Sequence, residues 1–408
     1  MKILRKISLG PGPIIAAAFI GPGTVTVCTL AGVKFGYELI WALGLSIVAT
    51  ISLQEMSARI GLLTQKGLVE NIRLTITNSL FKYFSIGLVL FAIVLGNAAY
   101  EAGNISGGTL GLSIWIDITE IQIGKIRFNV VNFLIGGVAW WILMKGNFKT
   151  ITNYLTIMVL IMSVTFLGTA LMVLPSLKEL IVGLIPKYNS DSILTVVALV
   201  GTTVVPYNLF LHAALVSQKW KTPTDLQKLR KDTVISVLIG GLVSIAILIT
   251  SANTGLTDVV NGKDLAEGVT PILGDFGKYF IGVGLFAAGI TSAITAPLAG
   301  GLVIAACFEW STDLKTPKIR WAISLILFLG LFFASFGIKP VTLITLAQLT
   351  NGILLPLISA YIIWLVNQRQ LLGNYINGIK FNLFAFIIWI ITLLLGLKSI
   401  SQVYNQFF

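Results

Sequence analysis

Eleven apolar runs constrain this chain more than any other feature. They lie near residues 9–33, 38–60, 82–104, 128–147, 150–174, 192–218, 233–254, 276–308, 320–337, 341–366 and 381–398. At about 1.5 Å per helical residue, each is long enough to cross a hydrocarbon layer roughly 30 Å thick. Lipid offers no partners to backbone N–H and C=O groups, so each run is predicted to be a helix rather than a barrel strand. The run at 276–308 is long enough to tilt or to extend into the interface. Only 11% of residues are charged and 56% are hydrophobic, against about 25% charged in soluble domains. That balance excludes a soluble enzyme, a disordered scaffold and a disulfide-built secreted protein. The expectation is an all-α, multi-pass protein of the cell membrane whose first partner is lipid.

The net charge of +12 does not point to nucleic acid, because the basic residues lie in short connections between apolar runs and form no basic face. With the N-terminus cytoplasmic and the C-terminus extracytoplasmic, 19 of the 28 basic residues fall on the inner side, as the positive-inside rule requires. Lys2, Arg5 and Lys6 before Ile14–Ile20 imitate a secretory leader, but the apolar stretch continues through Gly21-Pro22-Gly23 into a further run, unlike a cleaved signal. Cys28 and Cys307 sit within apolar runs as free buried thiols, and His212 is the single histidine. No histidine-rich metal or catalytic centre is therefore available, no nucleophile–base pair appears within the spans, and no cofactor is called for.

Two runs are interrupted. The first contains Gly21-Pro22-Gly23, and the sixth contains Pro206 in Val204-Val205-Pro206-Tyr207-Asn208. Proline removes a donor and clashes one turn back, and glycine lowers the cost of unwinding. One break falls in each half of the first ten runs, with helices 1–5 at about 9–174 and helices 6–10 at about 192–366, and an eleventh helix at 381–398. Paired broken helices at matching positions of two five-helix halves are the pattern of an inverted-repeat transporter with its site at the breaks.

Longer strings carry a family resemblance. Gln54-Glu55-Met56-Ser57-Ala58-Arg59-Ile60-Gly61, Gly201-Thr202-Thr203-Val204-Val205-Pro206-Tyr207-Asn208-Leu209 with Leu211-His212-Ala213, Ala287-Ala288-Gly289-Ile290-Thr291-Ser292, and Gln348 ahead of Pro356 occur in order along the chain. In these strings the chain resembles the Nramp family of proton-coupled divalent-metal transporters over nearly its whole length. The resemblance implies a LeuT-type fold, with a 5+5 inverted repeat, broken helices 1 and 6, and an added eleventh helix. It also implies a non-enzymatic secondary transporter working by alternating access.

The resemblance also exposes departures. Where metal-carrying members have Asp-Pro-Gly-Asn, this chain has Gly21-Pro22-Gly23-Thr24, and where they have Met-Pro-His it has Val205-Pro206-Tyr207. The family's ligand positions are thus Gly21, Thr24 and Val205, which supply neither carboxylate nor thioether. An Asp-x-x-Glu pair linked to proton movement becomes Ala98-Ala99-Tyr100-Glu101. The predicted substrate site is Gly21, Pro22, Gly23, Thr24, Val205, Pro206, Tyr207, Asn208 and Gln348. Glu101 and His212 are the candidates for a proton pathway, since a carboxylate in a span costs about 2.5–3.5 kcal/mol to insert. Glu55 beside Arg59 reads as a structural ion pair. The leading expectation is a small polar organic solute, with proton coupling through Glu101. A divalent cation, of the manganese and iron class or a harder ion such as Mg²⁺, held in a rebuilt site, is the alternative. A non-transporting membrane protein is the second alternative.

Overall fold

The computed structural model describes residues 10–117, 120–123, 126–173, 175–187, 190–255, 264, 274, 276–335 and 338–407. Lys2, Arg5 and Lys6, and positions 9, 174, 336 and 337 of the predicted spans, lie outside the described residues. The helices are α1 (Gly12–Phe19), α2 (Pro22–Phe35), α3 (Ile40–Thr64), α4 (Leu68–Thr75), α5 (Ser79–Leu112), α6 (Val130–Met144), α7 (Phe148–Val173) and α8 (Leu177–Gly183). They continue with α9 (Ile193–Thr203), α10 (Pro206–Lys219), α11 (Leu226–Ala252), α12 (Phe276–Cys307), α13 (Pro317–Ala334), α14 (Pro340–Val366), α15 (Arg369–Leu372) and α16 (Ile379–Phe407). Among the described residues nine helical segments, α9 and α10 counting as one, are long and apolar enough to cross a membrane. The pair α1 and α2, bent by 52°, makes a tenth, and the apolar α6 fits the remaining predicted run. The chain is an all-helical, multi-pass membrane protein.

Several boundaries differ from the sequence reading for physical reasons. Helix α5 runs to Leu112 rather than 104, through Gly103-Asn104-Ile105-Ser106-Gly107-Gly108. In water so many glycines would end a helix, but here they let backbones touch: a Cβ on Gly289 of α12 would lie 2.4 Å from the Cα of Gly108. Helix α11 begins at Leu226 instead of 233, because its first turns carry Lys228, Arg230, Lys231 and Asp232 ahead of the apolar run. The short helices α4 and α8 and a two-stranded antiparallel ribbon, β1 (Glu120–Ile123) and β2 (Ile126–Asn129), fill connections that the sequence reading left unassigned.

Long-range polar contacts tie the helices together near their ends. The N–H of Gly12, in the first turn of α1, donates to Asp232 Oδ2 of α11 at 2.8 Å. Arg73 of α4 pairs with Glu309 and donates to the Cys307 carbonyl at the end of α12. Glu55 accepts from Arg59 at 3.0 Å and from Arg230 of α11 at 2.9 Å, so its structural ion pair is in place and is shared by a second cation. Cys28 and Cys307 are free and buried. On the outside of the bundle, Ile235, Leu238 and Leu242 of α11 and Ile379, Leu383 and Ile387 of α16 are exposed, as lipid-facing stripes are. Replacing Gly289 by Val forces apart the backbones of α5 and α12. The expected cost is about 1–3 kcal/mol, seen as a lower melting temperature of the detergent-solubilised protein; an unchanged transition would contradict the close seam.

Candidate functional site

The two breaks are built alike. In α1, the last intrahelical bond runs from the Ile20 N–H to the Ala16 carbonyl at 2.9 Å; in α9, from Val204 to Val200, also 2.9 Å. One residue then leaves helical geometry, Ile20 at φ −82, ψ 70 and Val204 at φ −97, ψ 75. The next is extended, Gly21 at φ −107, ψ −178 and Val205 at φ −80, ψ 120. Pro22 and Pro206 then open α2 and α10 at the first helical position, where a missing N–H costs nothing and the fixed φ favours the helix.

The cost of each break is a set of carbonyls without helical donors, and in a membrane these need other partners. Side chains from facing helices supply them. The Tyr207 hydroxyl of α10 donates to the Ala18 carbonyl at 2.9 Å, the acceptor that Pro22 cannot serve. Ser292 Oγ of α12 donates to Ala17 O at 3.5 Å, and Asn208 Nδ2 of α10 adds a 3.1 Å bond to Ile15 O, a carbonyl inside the helix. Thr24 turns back to donate to Phe19 O, and its oxygen lies 2.8 Å from that of Thr202 in α9. A hydroxyl has one proton, so the direction is fixed: Thr202 donates to Thr24, which donates to Phe19. The two breaks therefore meet and brace each other.

Gly21, Thr24, Pro206, Tyr207, Asn208 and Gln348 are brought together around this junction, and Val205 is buried with them. Gly21 is required for space: a Cβ there would stand 2.4 Å from Ser292 Oγ, with Asn104 Oδ1 at 3.7 Å. Gly23 likewise admits the Gln348 side chain, whose Nε2 would lie 1.9 Å from an added Cβ. Tyr207 meets Tyr100 edge to face at 5.3 Å between centroids, and the Tyr100 hydroxyl lies beside Gln348 and Thr202. Two amide oxygens of the junction, Asn208 Oδ1 and Gln348 Oε1, are buried and accept no hydrogen bond.

The proton-pathway candidates lie apart from this contact network. Glu101 of α5 is fully buried against Gly330 of α13; its Oε2 accepts from Asn104 Nδ2 at 3.3 Å and its Oε1 has no partner. Because Asn104 also faces Gly21, it links Glu101 to the first break. His212, in the second turn of α10, shares a 2.8 Å hydrogen bond between Nδ1 and Gln54 Oε1, and its buried Nε2 is unpartnered. A carbonyl oxygen only accepts, so the Nδ1 carries the proton. Sequence reasoning did not single out Thr202, Ser292, Asn104 or Tyr100 as site residues; small polar residues in apolar runs were the available signal. Among the described residues no three His, Cys, Asp or Glu side chains gather as metal ligands.

A bundle of apolar helices wrapped around two interrupted ones, with breaks in contact, is the architecture of a LeuT-type secondary transporter. The chain belongs to the Nramp family, described as natural resistance-associated macrophage protein-like, whose pattern matches residues 12–402. It is 27% identical over 383 residues to the divalent metal cation transporter MntH of Aeromonas hydrophila, covering 90% of this chain and 89% of that one. It is 25% identical over 420 residues to a natural resistance-associated macrophage protein 2 homolog of Dictyostelium discoideum, covering 98% of this chain and 64% of that relative's length. In three dimensions it resembles the Eremococcus coleocola manganese transporter bound to an aromatic bis-isothiourea compound, with a TM-score of 0.78, 19% identity, and coverage of 96% of this chain and 86% of that chain.

Replacing Tyr207 by Phe leaves the Ala18 carbonyl without its donor in a buried place. The expected loss is about 1–3 kcal/mol, and Thr24→Val, which breaks both Thr24 contacts, is expected to cost more. Thermal unfolding of the three proteins checks the order; variants as stable as the parent would show that these bonds do not support the breaks.

Proposed function

We propose that the cargo of this transporter is a hard divalent cation of the magnesium class, carried with part of its water shell through the junction of the two breaks. The observation that carries this reading is the division of polar atoms there. The hydroxyl donors of Tyr207, Ser292 and Thr24 and one N–H of Asn208 go to α1 carbonyls, while among the described residues Asn208 Oδ1 and Gln348 Oε1 remain as empty acceptors. Oxygen donors suit hard cations, and neutral ones leave room for retained water. The name of the Aeromonas relative, a divalent metal cation transporter, supports the same class of cargo.

The sequence-based preference for an organic solute finds no such support. It set a solute carboxylate against Gly21-Pro22-Gly23-Thr24 and its far end at Tyr207, Asn208 or Gln348, and the Tyr207 hydroxyl and one N–H of Asn208 are engaged within the protein. The departures at Gly21, Thr24 and Val205 argue against a soft transition metal, because the family's carboxylate and sulfur donors have no counterpart there. Ser292 fills the space a side chain at Gly21 would need. In this reading the two five-helix halves alternate about the junction, the N-terminus is cytoplasmic and the C-terminus extracytoplasmic, and the buried Glu101 carries the coupled proton, its carboxyl held beside the first break by Asn104.

Uptake of Mg²⁺ and Mn²⁺ into proteoliposomes, beside a panel of amino acids and small carboxylates, tests the assignment. Saturable Mg²⁺ uptake that falls at least tenfold in Asn208→Leu and Gln348→Leu is expected. Uptake of an organic solute without Mg²⁺, or tight stoichiometric Mn²⁺ binding at the junction, would overturn it. Glu101→Gln is expected to abolish the dependence of uptake on a proton gradient while the protein still folds; an unaltered dependence would remove Glu101 from the pathway.

A further inference from the structure

Away from the junction, a cavity of about 460 Å³ opens between α3, α11 and the start of α16. Arg59, Arg230, Glu55 and Asn377 line its polar part, and Ile51, Val234 and Phe381 belong to its apolar part. Two guanidinium groups against one carboxylate leave an excess of one positive charge. Arg59 is committed: it donates to Glu55, to Asn377 Oδ1 at 2.5 Å and to the Tyr375 carbonyl at 2.6 Å. Arg230 is not. It reaches Glu55 through Nε alone, its side chain is half exposed, and its two Nη groups make no hydrogen bond among the described residues. A guanidinium presenting its Nη pair matches the two oxygens of a phosphodiester.

The surroundings identify the carrier of that phosphate. Val234 is followed on α11 by the exposed Ile235, Leu238 and Leu242, and Phe381 stands among the exposed Ile379, Leu383 and Ile387 of α16. On α11 the exposed Leu238 and Leu242 share the face of Val234 and Arg230, whereas on α16 Ile379 and Leu383 stand on the face away from Phe381, so the cavity joins one lipid-facing stripe, that of α11, to a charged head. Lys231 and Lys380, each next in sequence to a lining residue, are exposed, and with the unbalanced Arg230 they favour a headgroup of net negative charge over a zwitterion. We propose that this cavity binds one anionic phospholipid, its phosphate held by Arg230 and its acyl chains lying along α11. This assignment does not depend on the identity of the transported cargo.

Native mass spectrometry of the protein delipidated in detergent and titrated with phosphatidylglycerol or phosphatidylcholine tests it. The wild-type chain is expected to retain one phosphatidylglycerol at least fivefold more strongly than phosphatidylcholine. Arg230→Gln is expected to lose that preference, and Arg230→Lys to recover part of it. Equal retention of the two lipids by the wild-type chain overturns the proposal without any variant. An Arg230→Gln protein that elutes as folded and keeps the preference overturns it as well. Inorganic phosphate provides the remaining arm. If phosphate raises the melting temperature of the wild-type protein and not of Arg230→Gln, while phosphatidylglycerol does neither, the site takes a soluble anion and the lipid assignment fails.

Discussion

A helix that is broken inside a membrane must find donors for the carbonyls it releases, and the rest of this structure follows from that demand. Water cannot supply them at that depth, so other helices must. Here Tyr207 reaches Ala18, Ser292 reaches Ala17 and Thr202 acts through Thr24 on Phe19, while Asn208 adds a bond to Ile15. Three separate helices are thereby pinned to the end of α1. The bonds that satisfy the break also gather the residues of the candidate site.

Close helix packing is the second condition. Gln348 can lie against the start of α2 only because residue 23 is glycine, and α5 can approach α12 only because Gly108 faces Gly289. Small residues at such seams exchange side-chain packing for backbone proximity, which suits helices that gain little from the hydrophobic effect against one another in lipid. The buried polar residues then sit in fixed positions. Asn104 can face Gly21 and Glu101 at once because the glycine-rich end of α5 remains helical to Leu112.

Much of this was legible in the sequence. Pro22 and Pro206 announced both breaks at matching positions of the two halves, whereas Pro297 and Pro356 stay inside continuous α12 and α14, and the apolar runs announced the spans because lipid thickness sets their length. The partners of the breaks were hidden. Ser292 and Thr202 are ordinary small polar residues in apolar runs, and only the three-dimensional crossing shows that their hydroxyls serve carbonyls of α1. The extension of α5 was hidden for a related reason, since Gly107-Gly108 reads as a helix end until α12 is seen against it. The engagement of Tyr207 and Asn208 with α1 carbonyls was hidden in the same way, since both contacts are long-range.

The chain of hydroxyls from Thr202 through Thr24 to Phe19 has a direction, with each proton pointing towards α1. Tyr207 and Ser292 add to the same orientation. The junction thus carries an ordered array of neutral dipoles whose polarity is set without any ionised group. Such an array does not titrate at physiological acidity. A change in acidity can therefore alter the charge of ionisable groups elsewhere while leaving this array of dipoles as it is.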